Sequence, residues 1–256
     1  AIRHWALACQ VCEEEAQSRG RRVRPTEFGH SLLSDQGWDP YLEDWASIWW
    51  LHWKLVTNTT KATSWSWLFG RPRGNRFSRD VVVQELSELA KYHGSNRAKP
   101  SSLKRDLNVL IRSYASSTTR KREVAEDSLD SPFALLGLIR PAVEKGEFEL
   151  VVDDHASLPL AMFEAALVDY CTQGEVARRS VGLDELLYAA FSPGRTFRLS
   201  EDGFMRRISQ LHGLDRPYRY DETAGLRQLL ITDELPSVES ILAHHYDGAD
   251  PVRVAA

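Results

Sequence analysis

The densest aromatic stretch of this chain reads Gly37-Trp-Asp-Pro-Tyr-Leu-Glu-Asp-Trp-Ala-Ser-Ile-Trp-Trp-Leu-His-Trp-Lys54, and seven of the eight tryptophans lie between Trp38 and Trp67. Tryptophan buries a large apolar area, so this density predicts either a domain core or a large binding surface. Wound as a helix from Leu42 to Val56, the stretch has an inner face. That face comprises Trp45, Ile48, Trp49, His52, Trp53 and Val56, with Trp50 and Lys54 opposite. We interpret it as a core helix whose Trp50 meets a partner or a second domain; base stacking by these rings is the alternative.

Composition excludes several classes of protein. The 256 residues are 43% hydrophobic, but no apolar run reaches the eighteen residues of a membrane span, and the start does not resemble a signal peptide. The three cysteines do not suggest a disulfide framework. Cys9-x-x-Cys12 lacks the second ligand pair of a zinc site, so both are expected to be buried or partly buried thiols. A cytoplasmic location in a reducing bacterial cytosol is the expectation. Because the chain opens within a helical pattern, the natural protein is expected to extend further toward its N-terminus.

Charge is distributed unevenly along the chain. The net charge is −4, yet Arg71 to Arg122 holds thirteen Lys and Arg against four Asp and Glu, and the remainder holds nineteen against thirty-two. Such a basic segment in an acidic protein indicates a surface for phosphate contact. Ordinary solvated surface charge is the alternative.

Within this basic segment the pattern predicts a helix-turn-helix. Ser78 caps a helix that runs to about His93 with Val82, Leu86, Leu89 and Ala90 inward, and a second helix runs from Ser101 to Tyr114. The second helix has an apolar stripe of Leu103, Leu107, Leu110, Ile111 and Tyr114, and its opposite face is rich in Arg, Lys, Asn and Ser, which read bases and hold phosphates. The residues predicted to contact double-stranded DNA are Arg97, Lys99, Ser101, Ser102, Lys104, Arg105, Asn108 and Arg112, with the loop arginines Arg71, Arg73 and Arg76.

The expected fold is mainly α with small β wings, namely winged-helix or helix-turn-helix units around a Trp-rich helical core. Residues 1–70 are expected to form a partial winged helix plus the Trp-rich segment, with a helix over 1–16, a basic hairpin over 21–26 and a helix capped by Thr26. Residues 71–122 form the basic unit, residues 118–131 a linker, and residues 132–256 a C-terminal helical domain with short strands. In that domain we predict a short helix at 133–139, strands at 147–152 and 218–220, and helices at 160–171, 183–191, 201–211 and 238–246.

The sequence offers one short candidate for catalysis. It contains no phosphate-binding Walker loop, dinucleotide fingerprint, nucleophile elbow or zinc-protease motif. Asp153, Asp154 and His155 follow a predicted strand, and two carboxylates with an imidazole can hold Mg²⁺ or Mn²⁺ for phosphodiester cleavage. The alternative is a polar turn in which Asp154 or Ser157 caps the next helix. Separately, Asp39 is the expected cap of the Trp-rich helix.

Five blocks of sequence together resemble a known family. They are Thr26-Glu-Phe-Gly29 with Leu32-Leu33; Gly37-Trp-Asp-Pro-Tyr-Leu-Glu-Asp44; Leu51-His-Trp-Lys54; Ser102-Leu-Lys-Arg-Asp106 with Tyr114; and Ser192-Pro-Gly-Arg-Thr-Phe-Arg-Leu199. In this order they resemble the bacterial family called domain of unknown function 4007, whose members usually carry a further N-terminal segment that this sequence lacks. The resemblance covers nearly the whole chain and provides no catalytic residues to transfer.

The resemblance implies a role in DNA phosphorothioation and phage defence. In such a system one strand is nicked while partner proteins insert sulfur into the backbone: a cysteine desulfurase, an ATP-consuming sulfur-transfer protein and an ATPase. Three interpretations stay open at this point. The chain is a DNA nickase or its DNA-binding portion, a DNA-binding adaptor that recruits the sulfur-transfer proteins, or a protein-interaction module.

Overall fold

Helices make up about half of the described residues, and short antiparallel strands form three small sheets. The computed structural model describes residues 2–16, 18–70, 74–94, 99–115, 131–174, 178–214 and 216–248. The helices are α1 (Ile2–Ala8), α2 (Glu27–Leu33), α3 (Trp45–Thr57), α4 (Thr63–Gly70), α5 (Arg79–Tyr92), α6 (Pro100–Tyr114), α7 (Leu160–Cys171), α8 (Leu183–Tyr188), α9 (Pro193–Thr196), α10 (Glu201–Gly213) and α11 (Val238–Tyr246). The strands are β1 (Cys12–Glu14), β2 (Val23–Pro25), β3 (Arg76–Ser78), β4 (Ile139–Pro141), β5 (Glu147–Leu150), β6 (Ser180–Gly182), β7 (Tyr218–Thr223) and β8 (Leu226–Ile231). The expected class, mainly α with small β elements, is confirmed.

The Trp-rich helix α3 is buried on all sides. Ten of its thirteen residues are buried, and it packs against α4 and α7. The prediction that Trp50 faces outward is wrong: its side chain is 1% exposed and stacks on Trp53 at 6.4 Å. Trp45, predicted to face inward, is 40% exposed. A helix at the centre of a larger core is apolar all round, so the one-face rule for surface helices does not apply.

The start of α3 also differs from the prediction. Asp44, not Asp39, caps the helix, and its carboxylate accepts a hydrogen bond of 2.9 Å from the Ala46 amide. Asp39 accepts from the amides of Glu43 and Asp44 instead. Asp39 therefore orders the turn that leads into the helix.

The N-terminal region contains a hairpin where a single helix was expected. Helix α1 ends at Ala8, Gln10 adopts a left-handed backbone with φ of 57°, and β1 pairs with β2. The expected basic hairpin is thus present, but its first strand comes from the segment predicted as helix. Thr26 caps α2 as predicted, accepting from the Gly29 amide at 2.9 Å.

In the sequence, helices α5 and α6 come after the first strand of a small sheet and before its other two strands. The sheet order is β3-β5-β4 with antiparallel pairs; α5 and α6 follow β3, and a 3-10 turn at Pro132–Leu136 precedes β4. The predicted boundary between residues 71–122 and 132–256 therefore runs through a shared sheet. The expected linker at 118–131 lies almost wholly outside the described residues.

A second unit repeats this arrangement. Its sheet order is β6-β8-β7, with α8, α9 and α10 between β6 and the β7–β8 hairpin. The helices α8 and α10 and part of β7 agree with the predicted elements, whereas β6, α9 and β8 were not predicted. The two units resemble each other in the order of their helices and strands along the chain. Strand β6 has only three residues, which is too short to show an alternating pattern.

A buried imidazole joins the Trp-rich helix to both units. His52 of α3 lies 2.6 Å from the Tyr114 hydroxyl of α6 through Nδ1, and 3.0 Å from the Thr196 carbonyl of α9 through Nε2. Burial lowers the pKa of His52 to about 4, so the ring is neutral. A carbonyl only accepts, so Nε2–H donates to Thr196 and Nδ1 accepts from Tyr114.

Candidate nucleic-acid interface

The apolar side of α6 fixes how the helix sits on the protein. Leu107, Leu110, Ile111 and Tyr114 are buried and Leu103 is partly buried, which confirms the predicted stripe. Pro100 occupies the first turn, where its missing N–H costs nothing. Tyr114 at the other end stacks on Phe133, with ring centroids 5.2 Å apart.

The opposite side of α6 is an exposed polar row. Its members are Ser101, Arg105, Asn108 and Arg112, flanked by Lys99, Lys104 and Ser102, and all seven residues are exposed. Lys104 of this row forms an ion pair with α5, in which its Nζ lies 3.7 Å from the Asp80 carboxylate. Both side chains are well exposed, so this pair contributes little to stability. The α6 row is thus a set of cations and amide or hydroxyl groups held on a rigid helix.

Among the loop arginines, Arg76 lies within the described residues. Arg76 lies on β3 and its guanidinium is 3.2 Å from Glu144, in the turn between β4 and β5. Arg71, Arg73 and Arg97 lie outside the described residues. The structure therefore brings together the predicted DNA contacts from Lys99 to Arg112 and places Arg76 in an ion pair of its own.

The three residues of the predicted catalytic site are engaged separately. Asp154 pairs with Arg206 and accepts a hydrogen bond of 3.0 Å from the Ser200 hydroxyl, which lowers its pKa. Asp153 is exposed, and its carboxylate accepts from the Asp154 amide at 2.8 Å. His155 is nearly buried, and its Nε2 lies 3.2 Å from the Arg198 carbonyl.

This arrangement does not fit the predicted divalent cation. Burial lowers the pKa of His155, and the neutral ring uses its Nε2–H toward a carbonyl. The Asp154 carboxylate points to the start of α10, where it stabilises Arg206 and Ser200. Within the described ranges, no three His, Cys, Asp or Glu side chains converge as metal ligands would. The alternative, in which Asp154 or Ser157 caps the next helix, also differs from the structure. Helix α7 begins after Pro159 and has no side-chain cap.

Two buried arginines near this turn were missed by the sequence analysis. Arg207 of α10 donates to the carbonyls of His155 and Leu158 at 2.7 and 3.2 Å. Arg198 donates to the Asn75 side chain, next to β3. Desolvation lowers the pKa of each to about 10, so both remain charged. Arg198 links the second unit to the residue before β3, and Arg207 links α10 to the segment that precedes α7. Arg198 falls in the block Ser192–Leu199, where a basic residue between apolar ones was the available signal.

None of the helices in the described ranges has the length and apolar character that crossing a bilayer requires.

Comparison with known proteins identifies related sequences and structures. The family model described as protein of unknown function (DUF4007) matches residues 1–246. A magnesium ion-bound SspB crystal structure has a TM-score of 0.83 and 25% sequence identity, covering 98% of this chain and 76% of that one. Another SspB crystal structure has a TM-score of 0.79 and 26% identity with the same coverage. No curated protein sequence matches the chain significantly.

Proposed function

This chain belongs to the DUF4007 family, and we propose that it is the DNA-binding component of a bacterial DNA phosphorothioation and anti-phage defence system. The likeness to SspB over 98% of the chain supports the assignment to such a system. The exposed α6 row is the observation that carries the DNA-binding part. Its partners in the system would be a cysteine desulfurase, an ATP-consuming sulfur-transfer protein and an ATPase, as the family resemblance implies.

The element order around α6 supports a winged-helix mode of binding. In that mode a support helix precedes a recognition helix, and a hairpin returns to the strand before them. Here α5 precedes α6, and the β4–β5 hairpin pairs with β3. Arg105 and Asn108 have the side chains that form bidentate bonds with guanine and adenine, while Lys104 and Ser101 suit phosphates.

Charge distinguishes this unit from its structural repeat. Helix α10 occupies the place of α6 in the second unit, but its first turn carries exposed Glu201 and Asp202. Carboxylates at that position repel phosphates, whereas α6 starts next to Lys99 and has no acid in its first turn. We therefore assign duplex DNA to α6.

A salt titration of duplex binding tests the proposal. Lys104→Ala/Arg105→Ala removes two cations from the α6 row, so the slope of log affinity against log salt is expected to fall by about 1–2. Arg179→Ala/Arg219→Ala removes the same charge from exposed positions in the second unit and is the matched control. Equal effects of the two double variants would refute the assignment to α6, and binding without salt dependence would refute phosphate contact.

Magnesium-dependent strand nicking is the second candidate function. The magnesium ion in the related SspB crystal structure favours it, although the residues of the predicted metal site do not fit a cation. Asp153→Ala is the cleaner test of Asp153–His155, because Asp154→Ala also releases Arg206 and Ser200. If supercoiled plasmid is nicked with Mg²⁺ or Mn²⁺ and Asp153→Ala keeps full activity, this segment is not the catalytic site. A protein that binds duplex but never nicks it is the adaptor.

A further inference from the structure

A cavity of about 830 Å³ opens beside α6, between that helix and α1, α4 and α5. Its walls include three indole rings, Trp5, Trp65 and Trp67, and two α6 side chains, Ser102 and Asp106. Pockets for small ligands commonly have about 300–1,000 Å³ and combine apolar rings with a few polar groups. The cavity is therefore large enough for a nucleotide-sized group.

Contacts with neighbouring residues hold the rings in place. Trp5 packs edge-on against Trp65, with centroids 5.3 Å apart and planes at 80°. The Trp67 ring donates its N–H to Glu85 of α5 at 3.3 Å. Trp5 and Trp67 are only partly buried, so each keeps ring surface available to a ligand. Stacking of a base on an aromatic side chain is favourable for every base, since all have a π-face.

The α6 wall of the cavity adds two polar side chains, Ser102 and Asp106. Ser102 and Asp106 are four residues apart on one edge of the helix, which brings them together. Within the described residues, neither side chain forms a hydrogen bond or a salt bridge, and the charges of His4 and Arg105 act on the Asp106 carboxyl from a longer distance. Partial desolvation raises the pKa of Asp106. The pair supplies a hydroxyl and a carboxylate directly beside the exposed α6 row.

The carboxylate is the informative group. Asp106 is the one acid between Lys99 and Tyr114 and lies next in sequence to Arg105. A carboxylate at a phosphate-binding surface repels the DNA phosphates. In a complex with DNA it is therefore expected to accept a hydrogen bond from an N–H donor. The edges of nucleobases provide such donors, and Asp is a known acceptor from them.

We propose that this cavity receives a nucleobase unstacked from the DNA that α6 binds, held between the indole rings and hydrogen-bonded to Asp106. The inference rests on the proposed function and adds a base-extrusion step to it. Extrusion costs unpairing energy, which is smallest for a mismatched base. The base of a free mononucleotide has the same chemistry as a base extruded from a duplex. Binding experiments with duplex substrates distinguish these two ligands.

The test measures affinity for a fully paired duplex and for duplexes in which one mismatch is moved along the site. The expected result is that one mismatch position binds roughly tenfold tighter than the paired duplex. Asp106→Ala is expected to remove most of this preference and to weaken binding, while Asp106→Asn, which keeps an acceptor, retains part of it. A preference for free mononucleotide with no effect of mismatches would overturn the proposal.

Asp80→Ala is the matched control. It removes an exposed carboxylate of α5 that lies near Lys104, so it should leave the mismatch preference intact and strengthen binding slightly. If Asp106→Ala also strengthens binding, Asp106 merely repels phosphates and the cavity holds no base. Salt-dependent binding without mismatch preference overturns this inference alone, whereas absence of any duplex binding overturns the proposed function as well.

Discussion

Replacing His52 with Gln is expected to reduce, by about 2 kcal/mol, the loss of stability that the protein undergoes between about pH 7.5 and pH 5. In the folded protein, burial lowers the pKa of His52 from 6.5 to about 4. The unfolded chain therefore takes up a proton at a pH where the folded chain does not. The stability associated with the neutral ring is fully present above pH 6.5 and is lost as the pH falls toward 4.

The size of the effect follows from that shift. Each pKa unit corresponds to about 1.4 kcal/mol, so the full loss is about 3 kcal/mol, of which about 2 kcal/mol has occurred by pH 5. Urea denaturation at both pH values measures it as the difference in free energy of unfolding. Tyr114→Phe is the control: it leaves Nδ1 of His52 without its donor and should cost about 1–3 kcal/mol at both pH values, but it keeps the titrating ring. If wild type and His52→Gln lose the same stability on acidification, the buried neutral imidazole is not the cause.

Three further outcomes follow from the packing. Trp49→Ala and Trp50→Ala should each lower the free energy of unfolding by about 3–5 kcal/mol, because both rings are fully buried; a small effect at Trp50 alone, seen by denaturation, would contradict its placement. Gly194→Ala should cost about 1–3 kcal/mol, since the new Cβ would lie 2.7 Å from a backbone atom of Leu187; an unchanged melting temperature would show that α9 can shift. Burial raises the pKa of the Cys9 thiol to about 12, so iodoacetamide should label the partly exposed Cys12 first in the native protein, as mass spectrometry can determine.

The features that the sequence predicted well were those set by local pattern. The Leu107, Ile111 and Tyr114 stripe defines α6, and the Thr26 and Ser78 hydroxyls mark helix starts, because a cap needs only the amides of the next turn. Periodicity cannot tell whether a second layer covers the outer side of a helix. It therefore assigned Trp50 to the surface although α3 is covered on both sides.

The sequence also could not predict which side chains meet in space. Asp153, Asp154 and His155 are adjacent in the chain, yet a left-handed residue, His155 with φ of 49°, and the contacts with Arg198 and Arg206 direct them to different partners. The cavity beside α6 was missed for the converse reason. Its Trp5, Trp67 and Asp106 come from three helices that are far apart in the sequence.

The shared sheet has a consequence for synthesis of the chain. Strand β3 pairs with β5, joining Arg76 to Glu149, so its partner leaves the ribosome roughly 70 residues later, which takes about 4–14 seconds at common elongation rates. During that interval β3 is an unpaired strand edge, the kind of surface that templates association between chains. A fragment that stops after α6 would keep that open edge permanently. Separate expression of the unit that contains α5 and α6 therefore requires β4 and β5, and the shortest fragment that closes the sheet extends through Leu150.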